Sequence, residues 1–214
     1  MNTTGSNDHA THWEEIYQQK SSTAVSWYRD HLETSLRLLT DTNLGSTSRV
    51  IDVGGGASTL VDDLLDRGVE KMTVLDLSAA SLQVARTRLG ARAERVIWLT
   101  GDATKIALPE SGFTHWHDRA VMHFLTDPAD VRAYAMQAAH AIAPGGHAVI
   151  GGFAPDGPER CSGLTVVRRS AEDIAAAMSS AFELLMAADE RHVTPGGNEQ
   201  SFAYAVLRRK QSSP

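Results

Sequence analysis

The chain has 214 residues, 42% of them apolar and 21% charged, which is ordinary for a globular protein and enough for one sizeable core. Its formal net charge of −6 argues against a long nucleic-acid partner, whose phosphates call for a basic face. No apolar run approaches the roughly 18 residues that span a bilayer, and a single cysteine, Cys161, excludes an internal disulfide or an intrachain cysteine zinc cluster.

Residues 1–11 are rich in Asn, Thr, Gly and Ser and are expected to form a disordered tail. Met1 to Asp8 lacks the basic and apolar blocks of a secretory signal, so a cytoplasmic location is expected. One domain is expected over residues 12–210. A short helix starts at His12, with Trp13, Ile16 and Tyr17 on one face. A polar loop from Lys20 to Thr23 leads to Val25-Ser26-Trp27-Tyr28 and a helix carrying Leu32, Leu36 and Leu39. Residues 12–45 therefore precede the sheet with two aromatic clusters. They can fold over a bound ligand as a lid or staple the N-terminal helix to the core, since aromatic burial is large in either role.

From Val50 the pattern becomes regular. Val50–Val53 reads as a buried strand, and after Gly54-Gly55-Gly56 the residues Leu60, Val61, Leu64 and Leu65 recur at helical spacing. The second strand is Met72–Leu75, followed by a helix from Ser78 to about Leu89 with Ser78 as N-cap. Strand three is Val96–Leu99 and strand four is Phe113–Trp116. Helical segments then run between Ala120 and Ala143, stopped by Pro144-Gly145-Gly146, and strand five is His147–Phe153. Strands alternating with helices mean a parallel α/β sheet. After the Pro155–Gly163 loop come a short strand or turn and a helix over Ser170–Ser180. Two strands, Phe182–Met186 and Ser201–Leu207, are spaced to form a terminal antiparallel hairpin.

The turn after strand one carries the first chemical signal. Glycines permit positive φ and close approach of a ligand, and the following helix offers free N–H groups. Asp76 ends the second strand, where a carboxylate can accept both hydroxyls of a ribose. Gly101-Asp102-Ala103 and His117-Asp118-Arg119 follow strands three and four, again at the strand ends where open α/β sheets bind ligands. A cofactor containing a nucleoside is implied.

With these four stretches and Pro144-Gly145-Gly146, the chain resembles class I S-adenosylmethionine-dependent methyltransferases over residues 49 to 153. The resemblance implies a Rossmann-like, mostly parallel seven-stranded sheet with one antiparallel strand, helices on both faces and S-adenosyl-L-methionine as cofactor. Gly54 and Gly56 would pass against the methionine and ribose. Ser58 stands where the usual loop has its third glycine, which is tolerable at negative φ. Asp52 would face the cofactor ammonium. Asp76 would hold the ribose, with Leu77 on adenine. Asp102 and the Ala103 N–H would meet the adenine edge, and the region of Asp118 would take the methionine amine. Trp13, Tyr17 and Trp27 would close over the cofactor if the lid reading holds. A nicotinamide cofactor is the weaker alternative, because the third glycine of its loop would fall on Thr59.

Methyl transfer from a sulfonium is a displacement in which the protein aligns nucleophile and methyl. The candidate catalytic residues are His117 and His123 as bases and Arg119 as a fork for a substrate carboxylate. No metal site is expected from the histidines. Cys161, between Arg160 and Ser162, lies in a loop expected to cover the substrate side. The N-terminal layout His12-Trp13-Glu14-Glu15-Ile16-Tyr17, then Ser26-Trp27-Tyr28, is similar to that of small bacterial thiopurine and tellurite methyltransferases. That similarity implies a small-molecule acceptor, such as a thiol or other soft nucleophile. Two alternatives stand beside it: a protein lysine methyltransferase, and a non-catalytic cofactor-binding regulatory protein.

Overall fold

The computed structural model describes residues 4–19, 21, 23 and 25–211, with side chains from His9 onward. Helix α1 spans Thr4–Gln19. It therefore begins eight residues before the expected start at His12, and most of the expected 1–11 tail is helical; residues 1–3 lie outside the described residues, as do Lys20 and Ser22 of the expected polar loop. Helix α2, Glu33–Asp41, buries Leu36, Leu38 and Leu39.

The alternating part follows. Strand β1 is Arg49–Val53, α3 is Leu60–Asp66 and β2 is Lys71–Asp76. Helix α4, Ala79–Leu89, starts where the Ser78 side chain accepts from the Ser81 N–H. It is followed by β3, Val96–Thr100, β4, Phe113–Arg119, and a 3₁₀ turn at Met122–Phe124. Helix α5, Pro128–Ala141, is capped by Asp127, with Pro128 at its first turn where no N–H is needed. Strand β5 is Ile142–Phe153. A two-residue ladder, β6 Arg160–Cys161 and β7 Leu164–Thr165, precedes α6, Ala171–Met178. Strands β8, Phe182–Val193, and β9, Glu199–Arg209, close the chain.

Seven strands form one sheet in the order β3-β2-β1-β4-β5-β9-β8. All neighbours from β3 to β5 pair in parallel, and β9 runs antiparallel to both β5 and β8. This is the expected mostly parallel sheet with a terminal hairpin. Alternate side chains of β1 feed two cores. Val50 joins α2, α3 and α4 on one face, while Ile51 and Val53 join α5 and α6 on the other. Among the described residues no helix is long and apolar enough to cross a membrane.

Three further boundaries differ from the sequence reading by three residues or more, each for a physical reason. Strand β4 runs three residues past Trp116, because His117 and Asp118 find polar partners inside the core and the ladder to β1 and β5 continues through them. Pro144-Gly145-Gly146 does not stop α5. The helix ends at Ala141, Ile142 is already extended, and the proline and glycines sit in β5, where the pairing with β4 is irregular and Gly145 has φ 79°. Strand β8 continues through Asp189-Glu190-Arg191-His192, since an edge strand held by its hairpin needs no apolar alternation.

Candidate functional site

Sheet order sets the layout of a pocket at the carboxyl ends of the parallel strands. With strands about 4.8 Å apart, the wall runs from Asp102 after β3, through Asp76 and Gly54, to Ala120 after β4, Phe153 at the end of β5 and Phe202 on β9. Helix α1 adds Trp13 and Tyr17.

At the β1 tip the chain turns sharply. The Gly54 N–H donates to the Leu75 carbonyl at 2.7 Å. Gly54 has φ 70°, and a Cβ there would stand 2.1 Å from Val121 Cγ2. Gly56 has φ 35°, and a Cβ there would stand 2.7 Å from Asp76 Oδ2. The left-handed backbone and the close approach both demand glycine. Ser58 keeps negative φ and its Oγ accepts from the Leu60 N–H at 3.2 Å, so it serves the start of α3.

Beneath this turn lies a buried chain of polar groups. His117 Nδ1 is 2.7 Å from Asp52 Oδ1, and His117 Nε2 is 2.9 Å from Ser35 Oγ on α2. His117 and Asp52 are 1% and 2% exposed. Asp52 Oδ2 is buried and has no partner in the chain. A buried carboxylate oxygen without a donor is costly. An ammonium group laid along the glycine turn would satisfy it.

The acids at the next two strand ends differ from each other. Asp76 Oδ1 accepts from the Ser78 N–H at 2.8 Å, and burial pushes its carboxyl up to about 6, with the Asp52 charge adding to the rise. Asp76 and Leu77 both line the pocket. Asp102 Oδ1 accepts from the Thr104 N–H and hydroxyl, and Oδ2 lies 3.0 Å from Lys105 Nζ. Burial raises the Asp102 carboxyl, but the Thr104 and Lys105 bonds outweigh it and hold it below the usual range. Asp102 and Ala103 are on the wall.

The β4 end corrects three expectations. His117 has both ring nitrogens engaged within the core, so it offers no free lone pair to a substrate. Asp118 is likewise spent: it accepts from the N–H groups of Val121 and Met122 at 2.7 and 3.0 Å and from the Tyr134 hydroxyl at 2.6 Å. Burial pushes its carboxyl up to about 6, and the cofactor amine cannot use that side chain. Arg119 does reach the pocket wall, but as a paired group. Its Nε donates to the Tyr204 hydroxyl, Nη1 to the Trp27 carbonyl and Nη2 to Glu190 Oε1, and the guanidinium lies 4.3 Å over the Phe202 ring. The expected fork for a substrate carboxylate is already occupied.

His123 sits on the 3₁₀ turn, lines the pocket and is 2% exposed. Its Nδ1 accepts from the Phe153 N–H at 3.4 Å, and its Nε2 has no partner in the chain. Burial, helped by the charges of Arg119 and Arg169, drives it down to about 3, so the ring is neutral. Cys161 is buried on the same wall, and burial pushes its thiol up to about 12 despite Arg119.

Trp13, Tyr17 and Trp27 all line the pocket. Trp27 Nε1–H donates to the Tyr17 hydroxyl at 3.1 Å, and Trp13 packs edge-on against Trp27 and Phe124 at 5.5 and 5.2 Å. Glu14, one residue on from Trp13, accepts from the Ser78 hydroxyl and the Ala80 N–H at the start of α4. Sequence reasoning missed Phe153, Gln200 and Phe202 as wall residues. The hairpin was legible, but nothing local says that β9 inserts beside β5 and so carries Gln200 and Phe202 to the pocket.

Comparison with known proteins agrees with this geometry. Residues 50–146 match the family model described as a methyltransferase domain. A relative from Mus musculus, the eEF1A lysine and N-terminal methyltransferase, is 28% identical over 123 residues, covering 57% of this chain and 17% of that protein. The chain thus spans about a sixth of the length of that relative. Among solved structures, one from work on conversion of a disulfide bond into a thioacetal group during echinomycin biosynthesis has a TM-score of 0.76 at 19% identity, covering 96% of this chain and 94% of that one. An N-methyltransferase from Bradyrhizobium japonicum in complex with S-adenosyl-L-homocysteine has a TM-score of 0.68 at 17% identity, covering 92% and 97%.

Residues 50–146 match a methyltransferase domain, and the sheet shares the fold of solved methyltransferases, one of them in complex with S-adenosyl-L-homocysteine, the demethylated form of S-adenosyl-L-methionine. The residues present fit that cofactor: a glycine cradle, an unpartnered Asp52 oxygen under it and an acid at the end of β2.

Proposed function

We propose that the protein transfers the methyl group of S-adenosyl-L-methionine to a small-molecule acceptor, as a single catalytic unit over residues 12–210 with residues 12–45 as its lid. The observation that carries the reading is the aromatic closure of the pocket by Trp13, Tyr17 and Trp27, with α1 tied to α4 through Glu14. Such a roof suits a compact acceptor and hinders an extended polypeptide. The single cysteine suits a reducing, cytoplasmic setting.

Within this reading the cofactor supplies an activated methyl group. Asp52 Oδ2 holds its ammonium, held in turn by His117 and Ser35. Asp76 accepts from the ribose hydroxyls. Leu77, Asp102 and Ala103 border the adenine. Asp102 reaches it with the lone pairs that Thr104 and Lys105 leave free. The aromatic roof excludes water and fixes the acceptor in line.

The test is release of S-adenosyl-L-homocysteine by purified protein, first with a panel of thiols, carboxylic acids, phenols and amines, then with a cell extract split into molecules below and above about 3 kDa. Turnover confined to small molecules is expected. The similarity to the eEF1A lysine and N-terminal methyltransferase favours a second reading, methylation of a protein amine. Labelling confined to the large fraction would select it. Saturable cofactor binding with no turnover in either fraction would select a non-catalytic binding protein.

A further inference from the structure

Most acids and imidazoles around the acceptor end of the pocket have their lone pairs used within the fold; His192, packed on Phe202 but not on the pocket wall, donates through Nε2 to the Ser26 carbonyl and keeps a buried, unpartnered Nδ1. His117 is bonded at both nitrogens. Asp118 accepts three hydrogen bonds. Glu190 is held by Arg119 and by the Tyr204 hydroxyl at 2.9 Å. His123 accepts from the Phe153 N–H through Nδ1, so its ring hydrogen is on Nε2, and that nitrogen is buried and unpartnered. It is a donor with nothing to donate to. Gln200, half-buried on β9, adds a carboxamide that has no partner among the described residues. Two cations flank this corner. Arg119 is on the wall, and Arg169 donates to the carbonyls of Met122 and Leu125 on either side of His123.

We infer that this corner, formed by His123, Gln200 and the surrounding aromatic rings, recognises an anionic acceptor, a carboxylate, thiolate or acidic phenolate on a small apolar body. The inference rests on the methyltransferase reading and names its substrate class. The chemistry is balanced without a base. A lone pair of the anion forms the bond to the methyl carbon while the carbon–sulfur bond breaks and its electron pair returns to sulfur. Anion and sulfonium both become neutral, and no proton is released. Burial is the larger cause of the shifts at His123 and Cys161; Arg119, though paired with Glu190, adds to the first by disfavouring a further positive charge and partly offsets the second. The Cys161 thiol stays protonated and is part of the wall, not the nucleophile.

The test uses the full chain saturated with S-adenosyl-L-homocysteine and titrated with three isosteric probes: benzoate, benzamide and benzylamine. Intrinsic fluorescence of the pocket tryptophans or calorimetry reads binding. Benzoate is expected to bind at least tenfold tighter than benzamide, and benzylamine more weakly than either. His123→Phe should remove that preference, His123→Gln, which keeps an N–H donor, should restore most of it, and Gln200→Ala should weaken benzoate about threefold. Affinity for S-adenosyl-L-homocysteine should hold in all three variants. Benzylamine or benzamide binding as tightly as benzoate would overturn the inference. So would failure of benzoate to bind, or a preference that survives His123→Phe and disappears in His9→Ala, since His9 is the other imidazole on the wall. Failure of S-adenosyl-L-homocysteine to bind at the outset would sink the methyltransferase reading itself, whereas cofactor binding without anion preference would sink only the acceptor assignment.

Discussion

At the β3–β2–β1 end the pocket presents Asp102, Asp76 and the glycine turn; at the β4–β5–β9 end it presents His123, Phe153, Cys161 and Phe202. The first end is assembled from groups within a few residues of their own strand tips. The second draws on the 3₁₀ turn, the β6–β7 ladder and the returning hairpin. At the first end Asp52 keeps a buried oxygen free for a ligand, while at the second Asp118, Arg119 and Glu190 are paired within the fold and His123 keeps one unpartnered ring nitrogen. A cofactor with fixed charges and hydroxyls is met by local polar groups on adjacent strands. An acceptor is met by shape and by a few donors, which only long-range packing can bring together.

The sharpest way to break the comparison is at Asp76. Asp76→Ala should cost about 100-fold in affinity for S-adenosyl-L-homocysteine, since two hydrogen bonds to a charged group are lost. Calorimetry checks it, and affinity retained within threefold would show that the β2 end is not the ribose site. Next comes the link between the two ends. His117→Phe fills the volume but strips Asp52 Oδ1 and Ser35 of their partner, and should destabilise the fold by about 2 kcal/mol in urea unfolding. If His117 were instead a catalytic base, turnover would collapse with stability unchanged.

Trp13→Ala should raise KM for the acceptor about tenfold while leaving cofactor affinity within a few-fold, because the roof touches the second end through Phe124. A pH experiment separates the ends further. Asp76 ionises near 6 in the folded protein against about 4 unfolded. Between those values the folded state binds more protons, so its contribution is full at low pH and is lost as pH rises from about 4 to about 6. Asp76→Asn without ligand should therefore lose less stability than wild type over that interval, read as the difference in melting temperature. The smallest effect expected is Glu14→Gln, about two- to threefold in cofactor affinity, because the cap it gives α4 is largely solvated.

The β1–turn–α3 unit was readable because its signals are local: an apolar strand, obligatory glycines and a helix with Leu60, Val61, Leu64 and Leu65 at 3.6-residue spacing. The same holds for Asp76 and Asp102, which follow strands that announce themselves. Strand β4 was the hard element. His117 and Asp118 look like exposed chemistry in sequence because polar residues are rarely buried, and only Ser35, 82 residues upstream of His117, and Tyr134 on α5 reveal that they are satisfied inside the core.

From sequence alone the parallel sheet, the nucleoside-binding tip and the terminal hairpin were determined, since hydrophobic period, glycine geometry and strand-end acids act over a few residues. Tertiary structure alone decided which histidine faces the pocket, that Arg119 is already paired, and that β9 lies beside β5 and delivers Gln200 and Phe202. Those outcomes depend on which lone pairs and donors meet across the sheet, a matter of contacts between distant segments that no local spacing encodes.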